Sequence, residues 1–119
     1  MKYMIMMFGG LGATLPARSP DWIKGMGELM MTLQAEMEEA GELVSGHGLV
    51  DPTQAKTVRF ESGAPVSTDG PYAEIKESLA GYWIIDATED RALEIASRAV
   101  AYIEFPMEVR QVMHESVPA

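Results

Sequence analysis

STDGPYAEIKESLAGYWIIDA, residues 67–87, packs a sharp turn, a cluster of ionisable side chains and a long apolar strand into one span, and the remainder of the 119-residue chain reads as scaffold around it. Pro71 fixes its own φ and pushes Gly70 out of the helical region, while Asp69 can fold its carboxylate back onto nearby amides. A chain arriving here as a strand must therefore turn. Glu74, Lys76 and Glu77 follow closely, so three carboxylates and one ammonium share a short segment at a strand end. Carboxylates crowded in a cleft raise one another's pKa, which is a route to a general acid or base near neutral pH. The same spacing also describes a solvated charged loop neutralised by Lys76. From Leu79 the text becomes LAGYWIIDA, aromatic and β-branched, the pattern of a strand covered on both faces.

Upstream, residues 55–61 alternate, with Val58 and Phe60 on one face and Thr57, Arg59 and Glu61 on the other. Ser62-Gly63-Ala64 turns the chain, and residues 65–68 pair back, so a hairpin delivers Asp69 to its turn. Residues 42–49 read as another strand, with Gly46 and Gly48 on either side of His47. Glycine on both sides points to a backbone or ligand near the imidazole, or to a bulge or strand end. The tunable pKa of histidine makes His47 a possible general base; the plain alternative is a hydrogen-bonded structural residue.

Towards the N-terminus, Ser19-Pro20-Asp21 starts a helix that Gly41 ends. Trp22, Met26, Leu29, Met30, Leu33, Met37 and Ala40 form its buried stripe, and Lys24, Glu28, Gln34, Glu38 and Glu39 its wet face. Gly25 and Gly27 weaken that helix, so something must approach closely there. Residues 2–8 are apolar almost throughout, as in a central strand. The glycine-rich loop from Gly9 lacks both the Gly-Lys-Ser/Thr and the GxGxxG spacing of phosphate binders. Downstream, Thr88 caps a second helix with a predicted stripe of Leu93, Ala96, Ala99 or Val100, and Ile103. Residues 107–113 form a last strand, and His114 sits exposed at its exit.

The order is strand, helix, strand, hairpin, strand, helix, strand. With the hairpin as an elaboration, this is the ferredoxin-like βαββαβ plan of the α+β class: an antiparallel sheet with both helices on one face. Strands apolar on both faces then leave one sheet face in need of a cover, and a second copy packed sheet to sheet supplies it, giving a homodimer.

Composition sets the outer bounds. Residues 1–119 make one domain with one core. A net charge of −9 without a basic stripe opposes nucleic acid and an anionic membrane surface, and leaves a small neutral or cationic molecule as the fitting ligand. No apolar run is long enough for a membrane span or a signal-peptide core, and there are no cysteines, so a cytoplasmic setting is expected. Two histidines far apart give no metal-ligand spacing, and no motif for a cofactor is present. The ten methionines suit core filling or an adaptable pocket for an apolar or aromatic ligand.

TDGPYAEIKESLAGYWIIDA, the opening MKYMIMMFG and the segment Gly46-His47-Gly48-Leu49 resemble the DGPF-domain proteins of the YCII-related superfamily, with Tyr72 where that family more often has Phe. The resemblance implies a ferredoxin-like subunit paired into a dimeric α+β barrel with a pocket between sheet and helices. Members of the wider superfamily include a dehydrochlorinase, with a His-Asp pair proposed as catalytic. That histidine lies near the start of the first helix, where this chain has Asp21-Trp22-Ile23. Relatives often lie beside genes for extracytoplasmic-function sigma factors, which implies a regulatory setting.

Two functions fit. One is a cofactor-independent acid–base enzyme of the lyase, dehydrochlorinase or isomerase type acting on a small organic molecule. His47 would be the base, Asp69 its orienting partner or the acid, and Lys76 a stabiliser of developing negative charge, with Gly70, Pro71, Tyr72, Glu74 and Glu77 holding the ligand. The other is a non-catalytic ligand-binding or regulatory module, in which Asp69 caps backbone amides and Glu74, Lys76 and Glu77 form ion pairs.

Overall fold

A computed structural model describes residues 1–9, 18–74 and 77–113; Lys76, His114 and the loop following Gly9 lie outside them. Strand β1 spans Lys2–Phe8, helix α1 Pro20–Glu39 and strand β2 Leu43–Gly48. A single 3-10 turn at Pro52–Gln54 leads into β3, Lys56–Glu61, and β4, Ala64–Asp69. The chain ends with β5, Leu79–Asp86, helix α2, Glu89–Ile103, and β6, Met107–Gln111.

The helices begin and end where their capping chemistry sits. Ser19 Oγ accepts from the Trp22 amide at 3.1 Å and Thr88 Oγ1 from the Arg91 amide at 3.1 Å, so each satisfies an amide that has no partner inside its helix. Gly41, at φ +72°, closes α1 in a Schellman turn: its amide reaches Glu38 O at 3.0 Å and the Glu42 amide reaches Met37 O at 2.8 Å.

Strands β2, β5, β1 and β6 make one sheet in that order, every neighbouring pair antiparallel. Two βαβ halves interleaved in this way are the ferredoxin-like α+β fold. Both helices cover one face. Tyr3 and Ile5 from β1 and Trp83 and Ile85 from β5 are buried in one core with Leu33 and Met37 of α1 and Ala92 and Ile95 of α2. The stripe of α2 lies one residue from its predicted place: Ala92, Ile95, Ala96 and Ala99 are buried and Leu93 is 46% exposed. Starting the i, i+3, i+4, i+7 series at 92 sets small alanines against the sheet, which lets α2 pack closely.

The other face has no cover within the chain. Met4, Met6, Tyr82 and Ile84 alternate with the core residues and are half-buried, so β1 and β5 are fully covered on one side rather than on both as their composition predicts. Strands β3 and β4 form a separate two-stranded sheet, closed by Ser62 and Gly63 at φ +50° and +81°, the left-handed pair of a type I′ turn. This hairpin projects. The radius of gyration is 16.2 Å, against about 13–14 Å for a compact chain of this length, and the molecule is only 18 Å thick along its shortest axis.

Candidate functional site

The Asp69-Gly70-Pro71 turn joins the hairpin to the sheet. Gly70 adopts φ +96°, a conformation closed to most L side chains, and Pro71 prevents the strand from continuing. The turn is fastened to β3 by backbone and hydroxyl groups: the Gly70 amide donates to Ala55 O at 2.8 Å and Thr57 Oγ1 donates to Gly70 O at 2.7 Å. The Asp69 carboxylate takes the Lys56 ammonium directly across the hairpin rather than a backbone amide, and its side chain is 89% exposed. Such a pair positions the hairpin base but adds little stability, because water screens it.

Under this turn lies an open groove of about 680 Å³. Leu49, Val50 and Pro52 form one wall, Val58 and Ala55 the hairpin side, and Pro71, Tyr72 and Leu79 the turn side. Polar groups enter at Asp51, Lys56, Thr57, Glu77 and Ser78. Asp51 is already committed: its carboxylate accepts from the Thr53 amide at 2.9 Å and from Thr53 Oγ1 at 2.8 Å, capping the 3-10 turn, and these bonds hold its pKa below the ordinary value. Ser78 Oγ leans on the carbonyls of Ala73 and Glu74 at 3.4 and 3.3 Å. An apolar wall with a few convergent polar groups is the usual make-up of a small-molecule site, and the volume falls in the usual range.

The residues singled out in the sequence separate into two places. Pro71, Tyr72 and Glu77 line the groove, and Gly70 shapes the turn above it; Asp69 and Glu74 stand outside the lining, both exposed. His47 lies on β2, on the open face of the sheet, with its ring 5.9 Å from that of its cross-strand neighbour Tyr82 in an edge-on arrangement. Among the described residues no hydrogen bond or ion pair joins His47 to Asp69. The two glycines beside His47 differ in kind. A Cβ on Gly46 would stand 2.4 Å from Trp83 Cδ1, whereas one on Gly48 would meet nothing within 4 Å. The close approach that the glycines signal is thus made by a core tryptophan on the opposite face of β2.

The groove's other wall was not legible. Leu49, Val50 and Pro52 follow a strand end and read as a connector; their signal is an apolar pair that remains exposed before Asp51-Pro52. Among the described residues no side chain of charged or polar type is buried, and no three His, Asp or Glu groups are placed to hold a metal ion. No described helix is long and apolar enough to cross a membrane.

The chain is similar to an uncharacterised protein of Rhizobium meliloti (strain 1021), 40% identical over 80 residues that cover 63% of this chain and 64% of that protein. The profile of the YCII-related domain matches residues 1–115, nearly the full length and including both the turn and the groove. By that match the chain belongs to the YCII-related domain family.

Proposed function

We propose that this YCII-related chain binds a small, largely apolar organic molecule in the groove beneath the Asp69-Gly70-Pro71 turn, and that two copies pair through the open sheet face. The observation that carries the reading is the groove itself, in which apolar side chains from three segments converge on Glu77, Ser78 and Lys56. Tyr72 is the natural stacking surface for a ring or an alkyl body, and Glu77 favours a neutral or cationic ligand over an anion. The half-buried Met4, Met6, Tyr82 and Ile84 of the open face supply the apolar surface for pairing, with His47 at its edge.

Proton transfer is the second reading, and its supporting observation is Glu77: of the three acids near the turn, it alone lines the groove. In this version Glu77 takes or gives the proton, Ser78 orients the ligand, and Asp69 with Lys56 holds the hairpin base.

A thermal-shift screen against small neutral and cationic metabolites tests both. A ligand at a hundred times its Kd stabilises the folded chain by about 2.7 kcal/mol, an upward shift of several degrees. Stabilisation by one chemical class that is lost in Tyr72→Ala supports the groove. Shifts that survive Tyr72→Ala and Glu77→Gln unchanged would place the ligand elsewhere. Turnover of the stabilising class, abolished in Glu77→Gln with binding retained, marks an enzyme, and binding without turnover marks the non-catalytic module.

A further inference from the structure

We infer that the second copy of this chain docks on the β3–β4 hairpin and closes the groove, so that the site is complete only in the dimer; this builds on the sheet-face pairing proposed above. The hairpin pairs with no strand of the main sheet. A two-stranded hairpin is marginal in water unless something packs on it. Its Lys56, Val58, Phe60 face is the one that asks for a cover: Val58 is 70% and Phe60 75% exposed, while the opposite face carries Thr57, Arg59 and Glu61.

The same cover is needed by the groove. Val58 belongs to its wall, and Val50 and Tyr72 on its rim are among the most exposed large side chains of the molecule, Tyr72 at 83%. A ligand in the single chain would stay largely in water, whereas a functioning small-molecule site buries about 70–90% of its ligand. A patch of this kind marks an interaction surface.

Area identifies the occupant. The open face of the four-stranded sheet has a footprint of about 400 Å² from its strand lengths and spacing, roughly half of what each partner buries in a stable interface. The hairpin adds about 200 Å² by the same measure, and the groove rim extends it further. The two surfaces also adjoin. Strand β2 runs from Gly48 straight into Leu49 and Val50 of the groove, and β5 begins at the groove residue Leu79. A copy seated on the sheet therefore reaches the hairpin, and two-fold symmetry applies the same contact twice.

Sedimentation velocity on the full chain, with Tyr72 acetylation by N-acetylimidazole mapped by mass spectrometry, tests this. Phe60 is outside the groove lining and exposed in the single chain, so Phe60→Asp leaves the subunit's own core and groove wall intact. The expected result is a wild-type dimer with Tyr72 protected, and in Phe60→Asp a dimer dissociation constant at least tenfold higher with Tyr72 readily acetylated. A Phe60→Asp dimer as tight as wild type, or a wild-type dimer in which Tyr72 reacts as fast as in the variant, overturns the inference. If Met6→Glu splits the dimer while Phe60→Asp does not, the sheet-face pairing stands and the hairpin contact falls. A wild-type chain that remains monomeric at about 100 μM removes both, at a concentration where a stable interface would be populated.

Discussion

Gly46 and Gly48 look alike in the sequence, and only the register of β2 on β5 tells them apart. Gly46 lies opposite Trp83, whose indole fills the space a Cβ would take and donates through Nε1 to Gln34 Oε1 at 3.3 Å. Gly46→Ala should therefore cost about 1–3 kcal/mol through displacement of a core side chain, and Gly48→Ala less than about 0.5 kcal/mol, read from urea midpoints. The pair Gly25 and Gly27 repeats the lesson on α1. A Cβ on Gly25 would stand 2.3 Å from Tyr102 Oη, which donates to Trp22 O at 3.0 Å, whereas Gly27 has open space around it. Gly27→Ala should raise stability by about 0.5–1 kcal/mol through helix propensity alone, and Gly25→Ala should give a smaller gain or a loss. Glycine spacing announced a close approach in both places; the identity of the approaching residue depends on side chains far away in sequence.

The elements themselves were largely readable, because their signals are local: caps at Ser19 and Thr88, a Schellman glycine at Gly41, alternation in residues 56–61. Less was legible where tertiary packing decides, as in the one-residue displacement of the α2 stripe. Ion pairs between elements were hidden for the same reason. Arg98 on α2 grips Glu36 on α1 with bonds of 3.0 and 2.6 Å, and Arg91 grips Glu42 with two of 3.1 Å. The Arg98 hydrogen bond holds the Glu36 pKa below its ordinary value of 4.5. A lowered folded-state value means that this contribution is fully present above the ordinary pKa and is lost as pH falls through the lowered one. Asp51, lowered from 3.8 by Thr53, adds to stability with the same sign. Stability should thus decline on acidification below about pH 4.5, and Glu36→Gln should flatten part of that decline in urea titrations across the acid range. At the hairpin base, Asp69→Asn should cost no more than about 1 kcal/mol, since its partner Lys56 and the carboxylate are both in water. Gly70→Ala should cost about 1–3 kcal/mol by forcing a side chain into φ +96°.

At the scale of the molecule, one face of the sheet is sealed by helices and the other is apolar but open, and a hairpin extends past its edge. The sequence carried the first half of that description in its order of elements, and carried the bare face as an excess of apolar residues in β1 and β5. The groove was only half visible. Its turn side stands in one continuous stretch, Pro71 to Leu79, whereas its far wall comes from residues 49–58, which the fold brings across only once β2 pairs with β5. The acid–base residues that spacing suggested are divided by the same geometry, with Glu77 in the groove and His47 on the sheet face.

The groove as the ligand site is the central claim, and amide chemical-shift mapping by NMR, with the stabilising compound titrated into ¹⁵N-labelled protein, tests it most directly. The account predicts that the largest shifts fall on Leu49, Val50, Thr57, Val58, Tyr72 and Leu79, with little change along α1 and α2. Shifts centred instead on the helices, or on the Arg18 and Trp22 cluster that stacks on Tyr102, would contradict it.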